Sequence, residues 1–159
     1  MIEIPTPCKN EVEKYLKKWD SLENYVLQEK SLDKLFFITY PNNNEIEDIL
    51  IKVSSLNDFY STNIFSVFPV AKHILNLDID SRLKSNDETL VNDIANLSIN
   101  GKKKCFYSFA TKYCSHHNPI NFPIYDSYVD KILNYYKRKD HFYDFKREDL
   151  KTISFSRKF

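Results

Sequence analysis

A single glycine, Gly101, stands in a chain of 159 residues, where ordinary usage of about 7% would supply roughly eleven. Backbone positions with positive φ must therefore fall largely to asparagine, the next residue to tolerate the left-handed region. Asparagine stands where turns are needed, at Asn42-Asn43-Asn44, Asn86, Asn100 and Asn118.

Between these turns the apolar residues recur with a helical period. Asn10 is placed to cap a first helix with Val12, Tyr15, Leu16 and Trp19 on one face, at i, i+3, i+4 and i+7. Leu22, Tyr25 and Val26 begin a second face, and Ser31 restarts a short apolar segment that ends at Pro41. Ile46, Ile49, Leu50 and Val53 resume the period, and "VAKHILNL" adds another helix. Leu90, Val91, Ile94 and Ala95 lie upstream of Asn100-Gly101, with Phe106, Phe109, Ala110 and Tyr113 downstream. Asn-Gly is a favoured β-hairpin turn, but helical periods on both sides predict a helix-hairpin-helix, and no stretch reads as a period-2 strand. Val129, Ile132, Leu133 and Tyr136 form one more helical face, and a pattern starting at Glu148 stops with the chain. The expectation is one all-α domain over residues 1–159.

With 42% apolar and 15% aromatic residues, the chain has the composition of a globular protein rather than a disordered one. A net charge of +1 advertises no general grip on nucleic acid, so a basic footprint has to be local. Cys8, Cys105 and Cys114 are odd in number and lack CxxC spacing, and Glu3, Pro5 and Pro7 occupy the place of an apolar leader. They read as reduced thiols of a cytoplasmic protein without a membrane span.

Two stretches carry the chemistry. "NGKKK", residues 100–104, is expected at the start of a helix, where three lysines and the free backbone N–H groups suit a phosphate; the plainer reading leaves the lysines in solvent. Asp126 precedes the face of Val129 and Ile132, so it either caps that helix or offers an ionised carboxylate for catalysis. His116 and His117 are adjacent, and consecutive side chains diverge, so with Asp126 they make a poor metal set. His73 lies between apolar positions, and His141 follows Lys137, Arg138 and Lys139 in a loop.

On these residues the chain resembles the helix-hairpin-helix DNA glycosylases, in particular the 8-oxoguanine glycosylase-like branch. "INGKKKCFYSFATKYC" is similar to the hairpin and its second helix, "NPINFPIYDSYV" to the loop that delivers the aspartate, and residues 60–75 to the segment that fills the gap left by a flipped base. The likeness covers about residues 55–137, as a reduced version of the fold. It implies a protein that binds double-stranded DNA carrying a modified base, without cofactor or metal, and excises that base. It further implies that Gly101, Lys102, Lys103 and Lys104 hold a phosphate and that Ser61, Thr62 or Asn63 fills the gap. Asp126 would stabilise the oxocarbenium sugar, with Tyr107, His116, His117, Tyr125 and Tyr128 around the base. Aligning the prolines puts Phe106 where lyases carry their amine, so a monofunctional enzyme is implied unless Lys104 serves. A catalytically silent helical module that binds DNA or protein is the alternative, and a metal-dependent nuclease the third reading.

Overall fold

The computed structural model describes residues 4–146 and 148–151. Helix α1 (Lys9–Asp20) is followed by α2 (Glu23–Asp33), which continues into a π-helical turn at Lys34–Thr39. Next come α3 (Ile46–Tyr60), α4 (Val67–Asn76), α5 (Ile79–Lys84) and α6 (Leu90–Ala95). Strands β1 (Asn96–Ile99) and β2 (Lys102–Cys105) precede α7 (Tyr107–Ser115) and α8 (Ser127–Asp140), and a 3₁₀ turn covers Asp149–Lys151. The chain is thus mostly helical. Among the described residues, no helix is long and apolar enough to cross a membrane.

The core forms where α3, α4, α6 and α7 bring their apolar faces together, burying Ile49, Val53 and Leu56, Val70 and Ile74, Leu90, Val91 and Ile94, and Phe109 and Tyr113. Each fully buried Leu or Ile contributes about 1.5–3 kcal/mol relative to exposure. Helix α7 is the central element, with every residue from Phe109 to Cys114 buried, Thr111 and Lys112 among them. Helix α1 is the opposite case, since it buries none of its residues. It begins at Lys9 with Cys8 in the cap position, one residue before the expected start at Asn10.

The helix-hairpin-helix expectation is corrected at Asn100-Gly101. The chain leaves α6 at Ala95 because Asn96 turns to extended backbone (φ −101, ψ 106), and Asn96–Ile99 pair antiparallel with Lys102–Cys105. Asn100 (φ 50) and Gly101 (φ 73) supply the two positive φ values of a type I′ turn, the twist that suits a two-residue hairpin. The local preference of Asn-Gly thus prevails over the short helical period of α6. The three lysines lie on exposed β2 rather than at a helix start. The Phe106 N–H donates to the Ala95 carbonyl at 2.9 Å, closing the hairpin's base before α7 opens at Tyr107.

The positive-φ burden falls on Asn63, Asn86 and Asn100, as the glycine shortage predicts, but also on Ser61, Asp78 and His141. Asn42, Asn43, Asn44 and Asn118 turn the chain without it.

Candidate functional site

Asp126 has extended backbone (φ −140), which aims its carboxylate back over the first turn of α8. Its Oδ1 accepts from the N–H groups of Tyr128 at 2.9 Å and Val129 at 3.1 Å, satisfying two of the helix's orphan donors. Its Oδ2 accepts from Lys112 Nζ at 3.2 Å. Burial alone would raise this carboxyl. The Val129 N–H, the Lys112 ammonium and the Tyr128 N–H together outweigh it and hold the group below the ordinary carboxylate range. Asp126 is therefore ionised at neutral pH.

Lys112 is almost wholly buried. It sits one turn beyond Ser108 on α7, and its Nζ donates to the Ser108 hydroxyl at 2.8 Å and lies 5.3 Å from the centre of the Tyr60 ring. Thr111, on the same helix, fixes the approach to Asp126: its Oγ1 is 3.1 Å from the Tyr125 carbonyl and accepts the Tyr125 N–H at 3.2 Å. Sequence reasoning missed Lys112. Its side of α7 also carries Ser108, Thr111 and Ser115, so in sequence it reads as an ordinary solvated face.

Asp126 stands on the wall of a cleft of about 470 Å³, lined also by Tyr107, Ser108, Tyr125, Asp130, Glu148 and Lys151. Tyr125 donates its hydroxyl to Asp130 Oδ1 at 2.5 Å, and its ring meets Tyr107 edge to face at 5.9 Å. The Tyr107 hydroxyl is buried without a partner among the described residues, and burial pushes its pKa up to about 12. Of the expected base-pocket residues, Tyr107 and Tyr125 share this cleft with Asp126. Tyr128 is mostly exposed.

The two histidines serve other networks. His116 Nε2 is 3.1 Å from the Tyr60 hydroxyl, which donates to Glu29 at 3.0 Å; burial, aided by Glu29, keeps that phenol protonated. Glu29, Asp33 and His116 place ligand atoms within 4.8 Å of one another, a set that can hold a cation. His117 Nε2 accepts from the Asn43 amide at 3.2 Å. Asn43 also donates to Asp80 at 2.6 Å, and its Oδ1 accepts from Lys52 Nζ and the Tyr113 hydroxyl, each at 2.6 Å. Burial first, then the charges of Lys52 and His116, lower the His117 pKa to about 3.

The loop after α3 starts beside His116, because Tyr60, the last residue of α3, lies 3.1 Å from it. Asn57 braces it by accepting from Thr62 Oγ1 at 2.7 Å and the Ile64 N–H at 2.9 Å. Ser61 and Asn63 remain exposed beside it. Phe65, which sequence reasoning passed over, is 97% exposed at its tip.

A family model described as HI_0787_N, an N-terminal domain, matches residues 11–121. That span holds the hairpin, Lys112 and both histidines and stops short of Asp126. A protein of Haemophilus influenzae (strain ATCC 51907 / DSM 11121 / KW20 / Rd), named "Uncharacterized protein", is 57% identical over 108 residues, covering 67% of this chain and 54% of the relative. The chain thus aligns with about half the length of that relative. No solved structure matches.

Proposed function

The chain belongs to the HI_0787_N family of N-terminal domains, and we propose, from the site itself, that it is a DNA glycosylase-like protein that draws a modified base from the duplex and releases it. The observation that carries the reading is an ionised carboxylate, Asp126, on the wall of an aromatic-sided cleft and backed by the buried Lys112. Extruding a base costs a few kcal/mol. The cleft beside Tyr107 and Tyr125 takes the base, and β2, just upstream of Tyr107, offers phosphates Lys102 and Lys104 on one face and Lys103 on the other. Phe65 is the exposed apolar side chain for the vacated stack.

In the chemical step the C1′–N bond breaks, its electron pair leaves with the base, and the sugar becomes an oxocarbenium cation. Asp126 faces that cation, a type of stabilisation whose removal typically costs about 100- to 1000-fold in rate. Water then adds its oxygen to C1′ and gives up a proton, and the base takes one. Lys112 acts through Asp126, holding the carboxylate ionised and in place. It is 4% exposed and engaged by Ser108 and Asp126, so the expected product is an intact abasic strand rather than a lyase cut.

The test is to incubate the protein with duplexes carrying oxidised, alkylated or deaminated bases and to score alkali-labile sites. Release that is lost in Asp126→Asn supports the proposal, while release untouched by that change removes the central residue. A borohydride-trapped covalent adduct would replace hydrolysis with lyase chemistry. A silent DNA-binding module is the second reading, favoured because both Asp126 oxygens already have partners within the protein. It predicts duplex binding with no base release from any substrate.

A further inference from the structure

Helix α1 presents Val12, Tyr15, Leu16 and Trp19 as one stripe, each 41% to 58% exposed, around a shallow groove of about 430 Å³. Trp19 extends the stripe to Tyr25, whose ring lies 6.1 Å away and is itself half exposed. A twelve-residue helix is marginal in water without tertiary packing, and α1 buries no residue of its own. Among the described α-helices it is the one that buries none, so its apolar face is left without a partner there.

The charges beside the stripe say what covers it. Helical spacing puts Glu11 and Lys18, seven residues apart, on one flank, and Lys9 and Asp20 on the other. In an antiparallel pair related by a two-fold axis, each flank meets the same flank of the other copy, run in reverse. The register that sets residue 9 against residue 20 also sets residue 11 against residue 18. Both flanks then match at once, Lys9 with Asp20 of a second copy and Glu11 with its Lys18. The same register seats Val12 in the gap between Leu16 and Trp19 opposite, in the manner of a knob in a hole. Within one copy, among the described residues, Lys9 and Glu11 pair with the exposed local partners Glu13 at 3.8 Å and Lys14 at 3.4 Å, which are weak and exchange easily.

We propose that α1 is a homodimer interface, formed by antiparallel pairing of the two α1 helices through Val12, Tyr15, Leu16 and Trp19. Four apolar side chains per copy place it in the small, weak class of interfaces, so association is concentration-dependent in the micromolar range.

Sedimentation equilibrium of the full chain, from about 1 to 300 micromolar, should show the mass rising from 19.0 kDa toward twice that value. Leu16→Glu should weaken association at least about tenfold, since burying a leucine is worth about 1.5–3 kcal/mol, with the helical circular dichroism retained. Lys18→Glu and Glu11→Lys should each weaken it, and the two together should restore it. A wild type that stays at the monomer mass throughout overturns the proposal, as does association that survives Leu16→Glu. Failure of the charge swap to restore association overturns the antiparallel register.

Discussion

Replacing Asp126 by Asn divides its capping role from its charge. Asparagine caps nearly as well as aspartate, so the α8 start itself should change by only a few tenths of a kcal/mol. The larger effect falls on Lys112, whose side chain is 5% exposed against 24% for Asp126. Breaking a fully buried ion pair by neutralising one partner costs about 3–5 kcal/mol. Here the pair is open to water on the Asp126 side, and the Asn carbonyl still accepts from Nζ, so about 1–2 kcal/mol is expected. For a chain of this length that lowers Tm by about 2–8 °C. Because the carboxyl of Asp126 is depressed in the folded state, its stabilisation is present above the ordinary value of 3.8 and is lost as pH falls through the folded-state value below it. Urea unfolding followed by circular dichroism should therefore separate wild type from Asp126→Asn at pH 7, and the gap should close as pH falls below 3.8. A variant within about 0.3 kcal/mol of wild type at pH 7, or a gap that persists in acid, would refute the Lys112–Asp126 coupling.

Changing Lys102, Lys103 and Lys104 together to Ala should weaken duplex binding and flatten its log–log salt dependence by about two units, since β2 turns two of the three to one face; an unchanged slope measured by fluorescence anisotropy removes β2 from the interface. His117 is held neutral as an acceptor for the Asn43 amide, so between pH 6.5 and about 3 the unfolded chain binds a proton that the folded chain refuses, and stability falls as pH drops through that window. His117→Gln should reduce that acid slope in denaturation titrations, and an unaltered slope assigns the acid sensitivity to other groups.

The start of α8 was legible because an aspartate followed by a helical apolar period has few other meanings. The stripe of α1 was legible too, although its exposure was not, since period alone does not say whether a face finds a partner. The hairpin was misread because Leu90, Val91, Ile94 and Ala95 satisfy a helical period while spanning barely more than one turn and a half, and β2 has no β-branched residue to announce a strand. Lys112 was hidden by the habit of lysine to sit at surfaces. It shares its side of α7 with Ser108, Thr111 and Ser115, which reads as a solvated face in sequence; in the fold the Tyr60 ring and Asp126 stand beside its ammonium. The gathering of Asn43, Lys52, Asp80, Tyr113 and His117 was beyond sequence reasoning, because it joins positions up to 74 residues apart.

That gathering has a consequence for how the molecule opens. The Asn43 side chain spends both amide protons on Asp80 and His117 and both lone pairs on Lys52 and Tyr113, so it cannot release one neighbour and keep a satisfied buried amide. The 40–44 loop, α3, α5 and α7 are thereby tied into a single foldon: local fraying in any of them strands a polar group that the other three were satisfying. Amide hydrogens in these four segments should exchange together, at the rate of global unfolding, while α1 exchanges ahead of them.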